Sequence, residues 1–104
     1  MTGLLVNAVT VRAALYEVED PELGVNVVDL GLVYDVAVDG RDVTVTMTLT
    51  TPGCPLHDML ADAVDQAVRM LVPGVGAVRV ALVWDPPWRP EMISAAGRRE
   101  LGWF

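Results

Sequence analysis

The stretch Leu32-Val33-Tyr34-Asp35-Val36-Ala37-Val38-Asp39-Gly40-Arg41-Asp42-Val43-Thr44-Val45-Thr46-Met47-Thr48-Leu49 decides the fold. Apolar residues recur at every second position on both sides of Asp39-Gly40-Arg41-Asp42: Leu32, Tyr34, Val36 and Val38 before it, and Val43, Val45, Met47 and Leu49 after it. Side chains on a strand alternate between two faces, so each set shares a face, and the Asp-Gly pair between them marks a hairpin. Thr44, Thr46, Thr48 and Thr50 fall on the opposite face. Threonine tolerates water as well as packing, so the sheet is expected to be covered on one side only, its other face wet or paired with a partner.

Downstream the period changes from two to 3.6. From Pro55, the residues Leu56, Met59, Leu60, Ala63, Val64, Ala67, Val68 and Leu71 form an apolar stripe against Asp58, Asp62, Asp65, Gln66 and Arg69, and Pro73-Gly74 ends the helix. Val78, Val80, Leu82 and Trp84 then share one face of a third strand. A strand, crossover helix and strand make a parallel pair, so the expected sheet is mixed. Upstream, Val11, Ala14, Leu15 and Val18 give a helix over about 10–18, stopped by Asp20-Pro21, and residues 22–31 read as an ordered loop. A proline-rich segment from Asp85 to Pro90 precedes a short helix capped by Ser94 and ended by Gly102. The expectation is a single α/β (α+β) domain over residues 1–104. It runs helix-strand-strand-helix-strand plus a short C-terminal helix, with helices mainly on one face of a three-stranded mixed sheet.

Composition excludes several function classes. The 104 residues are 53% hydrophobic and 20% charged, enough for one core and too short for two domains. Fourteen acids against seven bases, all of them arginine, give a net charge of −7. A nucleic-acid groove needs clustered positive charge and is not expected. No apolar run approaches the ~20 residues of a membrane span, and Met1 to Asn7 lacks a basic region and a signal-length apolar run, so a cytoplasmic protein is expected. Cys54 is the only cysteine, which excludes an intramolecular disulfide and a four-cysteine zinc site within one chain.

The run Thr50-Thr51-Pro52-Gly53-Cys54-Pro55-Leu56-His57-Asp58 joins the second strand to the long helix. Proline favours the first helical position, which makes Cys54 the expected N-cap, where helix amides and the dipole favour a thiolate. His57 and Asp58 follow at helical spacing. Three readings stay open: a soft-metal half-site of Cys54 with His57 or a carboxylate, a nucleophilic cysteine activated by His57, and a small capping residue beside a solvated histidine. Asp20, Glu22 and Asp29 belong to an acidic group that either solvates a helix end and caps turns or supplies oxygen ligands at the Cys54 end. Trp84, Trp88 and Trp103 read as packing residues, with Pro86-Pro87-Trp88 a rigid corner suited to docking.

Five segments in order resemble one family: Asp20-Pro21-Glu22-Leu23-Gly24; Asn26-Val27-Val28-Asp29-Leu30-Gly31-Leu32-Val33-Tyr34; Thr51-Pro52-Gly53-Cys54-Pro55; Trp84-Asp85-Pro86-Pro87-Trp88; and Ser94 with Arg98, Leu101 and Gly102. Together they are similar to the SufT/PaaD-like family of metal-sulfur cluster biosynthetic proteins, over nearly the whole chain. The resemblance implies an iron-sulfur cluster assembly fold and a role in maturing iron-sulfur proteins rather than a free-standing enzyme. It assigns the reactive cysteine to Cys54 and the acidic motif to Asp20 and Glu22. Iron or a transient iron-sulfur cluster is the implied cargo, and the assembly machinery and apo client proteins are the implied partners, with a homodimer among the expectations. The alternatives are a maturation subunit of a phenylacetyl-CoA-type oxygenase, whose relatives carry a cysteine-rich extension not found here, and an adaptor with a structural Cys54.

Overall fold

The computed structural model describes residues 6–21, 23–50 and 54–102, and of residues 54–57 the backbone alone. Its elements run α1 (Ala8–Leu15), β1 (Val33–Asp39), β2 (Asp42–Met47), α2 (Cys54–Leu71), β3 (Val78–Leu82), a 3-10 turn (Pro90–Met92) and α3 (Ala95–Leu101).

Residues 8 to 15 are helical because both ends of the segment are specified locally. The Asn7 side chain accepts from the Thr10 amide at 3.0 Å while the Asn7 amide donates to Thr10 Oγ1 at 3.2 Å. This reciprocal box starts α1 two residues ahead of Thr10. The helix also ends earlier than Asp20-Pro21 would stop it. The Val27 amide donates to the Val18 carbonyl and the Asp20 amide to the Val25 carbonyl, pairing that draws Glu19 and Asn26 into an antiparallel bridge. Such pairing needs extended backbone, so the helix gives way before it; Val11, Ala14, Leu15 and Val18 nonetheless all point into the core.

The sheet order is β1-β2-β3, with β1 antiparallel and β3 parallel to β2. Asp39 pairs with Asp42 across Gly40-Arg41, and only Gly40 has a positive φ, +63°, as in a type II′ turn. One detail of the alternation departs from expectation. A bulge between Val33 and Asp35 takes Tyr34 out of register, so Val33 pairs with Met47 on the apolar face where Tyr34 was expected. In the parallel pair Val43, Val45 and Met47 face Val78, Val80 and Leu82 as expected. β3 ends at Leu82, which leaves Trp84 beyond the strand and 47% exposed.

Val43, Val45 and Met47 form one continuous core with Val11 and Leu15 of α1 and Leu60, Val64 and Val68 of α2. Both long helices therefore serve the same face of the sheet. The opposite face, with Thr44 and Thr46 half-buried and Asp35, Ala37 and Arg79 exposed, is open as expected. Thr48 departs from that pattern: it lies past the last ladder pair, its amide donates to the Leu32 carbonyl at 2.9 Å, and the residue is 0% exposed. The stripe of α2 is narrower than the period implied. Leu60, Val64, Val68 and Val72 are buried, whereas Met59 and Leu71 are more than half exposed, because α1 and the sheet cover only one side of the helix. Among the described residues no helix is long and apolar enough to cross a membrane.

Candidate functional site

Two segments carry the candidate residues: the loop 19–31 and the start of α2. In the loop, Asp20 opens a turn. Its Oδ1 accepts from the Leu23 amide at 3.2 Å, its carbonyl accepts from Gly24, and Gly24 closes the turn with φ +70°. The carboxylate is only 2% exposed, and a buried carboxylate is costly unless hydrogen-bonded, so the turn and the acid depend on each other. Glu22 lies outside the described residues.

Asp29 is tied from three sides. Its amide donates to Asn26 Oδ1 at 2.8 Å, its Oδ2 accepts from Asn26 Nδ2 at 2.8 Å, and its Oδ1 accepts from the Ser94 hydroxyl at 2.8 Å. The Ser94 amide also donates to the Asp29 carbonyl at 2.7 Å, while Ser94 Oγ caps α3 by accepting from Gly97 at 3.0 Å. Contact is close enough to demand glycine twice. A Cβ on Gly31 would lie 2.5 Å from the Met92 carbonyl oxygen, and one on Gly97 3.0 Å from the Asp29 carbonyl oxygen. Trp88 completes the clasp by donating its indole N–H to the Leu30 carbonyl at 2.7 Å. The segment 88–97 thus locks the acidic loop in place.

That arrangement alters the reading of the proline-rich corner. Pro86 and Pro87 are exposed, but Trp88 is half-buried against the core and its polar atom is spent inside the fold. Tyr34, displaced by the bulge, donates its hydroxyl to the Pro86 carbonyl at 2.7 Å. Partial burial, with Asp85 nearby, pushes its phenol above the ordinary value. These tie points have no local signature, since the partners stand 52 to 65 residues apart.

α2 begins at Cys54 itself, so the cysteine is the first helical residue, one place inside the cap position that Pro55 suggested. His57 follows in the first turn of the same helix. The side chains of both, and residues 51–53, lie outside the described residues, as does Trp103. Among the described residues no three His, Cys, Asp or Glu side chains converge on a metal position. The backbone therefore places Cys54 at the start of α2, and the C-terminal segment holds the acidic loop.

Mixed three-stranded topology, two helices on one face and one cysteine opening the crossover helix define a small α+β domain. The family model described as iron-sulfur cluster assembly protein matches residues 8–81, and the chain belongs to that family. It is 46% identical over 93 residues to the Fe-S protein maturation auxiliary factor YitW of Bacillus subtilis (strain 168), covering 88% of this chain and 90% of that protein. To the Fe-S protein maturation auxiliary factor SufT of Staphylococcus aureus (strain USA300) it is 45% identical over 84 residues, 80% of this chain and 94% of that one. The crystal structure of a domain of unknown function, DUF59, from Bacillus anthracis superposes with a TM-score of 0.84 at 42% identity and 88% coverage of each chain.

Proposed function

We propose that this protein is an accessory factor in iron-sulfur protein maturation that passes iron or a cluster to apo clients through the Cys54 thiolate. The observation that carries the reading is kinship with maturation auxiliary factors across nearly the full length of both partners, with the same fold. A single thiolate suits transfer better than storage, because a cluster takes about four protein ligands, normally thiolates, and this sequence has one cysteine. In this reading Cys54 contacts the cargo or the client cysteine, His57 and Glu22 are candidate further ligands, and Asp20 and Asp29 hold the acidic loop.

The test is complementation of a deletion strain, read as the activity of an iron-sulfur enzyme in extracts. Wild-type protein restores it and Cys54→Ser, present at equal soluble level, does not. Full complementation by Cys54→Ser overturns the thiolate role, and failure of the wild-type protein overturns the accessory role.

A further inference from the structure

α2 lies beside α1 and the residues 16–19 that follow it, and a groove runs between them that the core does not fill. One depression of about 420 Å³ is lined by Glu17, Val18, Ala63, Ala67, Met70 and Leu71, among others. A second, of about 300 Å³, is lined by Thr10, Ala13, Ala14, Glu17 and Leu71, so the two share Glu17 and Leu71. Met70 is 81% exposed at the lip. Methionine lining suits a surface that adapts to an inserted side chain.

Charge says what the groove fits. Glu17 and Glu19 line one wall, and Asp58 and Asp62 stand on the solvent side of the Met59–Met70 strip of α2. Among the described residues, the one ion pair joins Asp65 to Arg69 at 2.9 Å, and Arg69 also donates to the Gly76 carbonyl. No arginine lines either depression. An apolar groove between acidic borders repels a second copy of itself across the same face and also an anionic lipid surface. It attracts a polypeptide with an apolar stripe and basic flanks. One wall is α2, whose backbone groups are bonded within the helix, and the other is α1 with the residues that follow it, where Glu17 and Val18 still donate their amides to the Ala14 and Leu15 carbonyls. Against such walls an occupant that bonds its own backbone, as a helix does, fits better than an extended strand.

We infer that the α1–α2 groove docks a basic amphipathic helix of a partner protein, with apolar side chains inserted between Glu17 and Met70. The inference is independent of the cargo on Cys54. The probe is a synthetic leucine/lysine peptide with leucine at helical spacing, set against a leucine/glutamate peptide with the same apolar stripe, each titrated into the full chain and followed by amide chemical shifts. The lysine peptide shifts amides of residues 10–19 and 63–71, and its affinity falls steeply with added salt. Met70→Arg with Leu71→Arg, both at exposed positions, weakens it about tenfold, and Glu17→Arg with Glu19→Arg about fivefold with a shallower salt dependence. Equal binding of the glutamate peptide, shifts centred on another face, or variants that bind as wild type overturn the assignment. So does a dimer that Met70→Arg dissolves, since a second copy would then be the occupant.

Discussion

The Thr48 hydroxyl is enclosed by protein and has no hydrogen-bond partner among the described residues, while the Thr48 amide still donates to the Leu32 carbonyl. An unpaired buried hydroxyl costs about 1–3 kcal/mol, and valine matches threonine in shape while leaving nothing unsatisfied. Thr48→Val is therefore expected to raise stability by about 1 kcal/mol, read as a higher urea midpoint at unchanged slope. A lower midpoint would mean the hydroxyl finds a partner. Cys54 tests the opposite property. Serine is close to cysteine in volume and is tolerated in the first turn of a helix, so Cys54→Ser should move stability by less than about 1 kcal/mol even as it abolishes maturation. Early unfolding of that variant, with activity kept where it folds, would make Cys54 a packing residue.

At the scale of elements, the clasp of segment 88–97 on the acidic loop makes the sharpest claim. Ser94 both caps α3 and donates to Asp29, so its removal loses a cap and leaves a carboxylate oxygen short of one donor. Ser94→Ala should destabilise by about 1–2 kcal/mol. In a double-mutant cycle with Asp29→Ala the two losses should fall short of adding, because both remove the same bond. Strict additivity would show that the Asp29 bond carries no energy. The clasp also marks where sequence reading stops. The hairpin, the crossover helix and the mixed sheet were legible because periods of two and 3.6 and the handedness of a crossover are local or topological rules. The bulge was not, since Tyr34 continues the alternation from Leu32 and only pairing with Met47 shows which residue is extra. Cys54 could be placed at the start of α2 from Pro55 alone, to within one residue. The roles of Asp29 and Trp88 could not, because Ser94 lies 65 residues from Asp29 and Leu30 58 residues from Trp88.

At the scale of the whole molecule, the arithmetic of ligands limits what one copy can do. A chain with one cysteine cannot surround a two-iron or four-iron cluster, which takes about four protein ligands. A held cluster must then be bridged between two chains at their Cys54 ends or completed by a client or a small thiol. A bridging cluster draws two copies together at the end of the molecule bearing Cys54, because that is where each copy supplies its thiolate, and the acidic borders of the α1–α2 groove disfavour pairing across that face instead. Anaerobic reconstitution without added thiol should accordingly raise cluster content and dimer content together in size-exclusion chromatography, and Cys54→Ser should gain neither. Chelation of the iron should return the dimer to monomer, since the bridging metal is then the linkage and mass action couples the two equilibria. A full cluster on a strict monomer, in the absence of thiol, would overturn this, since one thiolate with His57 and the carboxylates of the acidic loop is not the thiolate set that holds such a cluster.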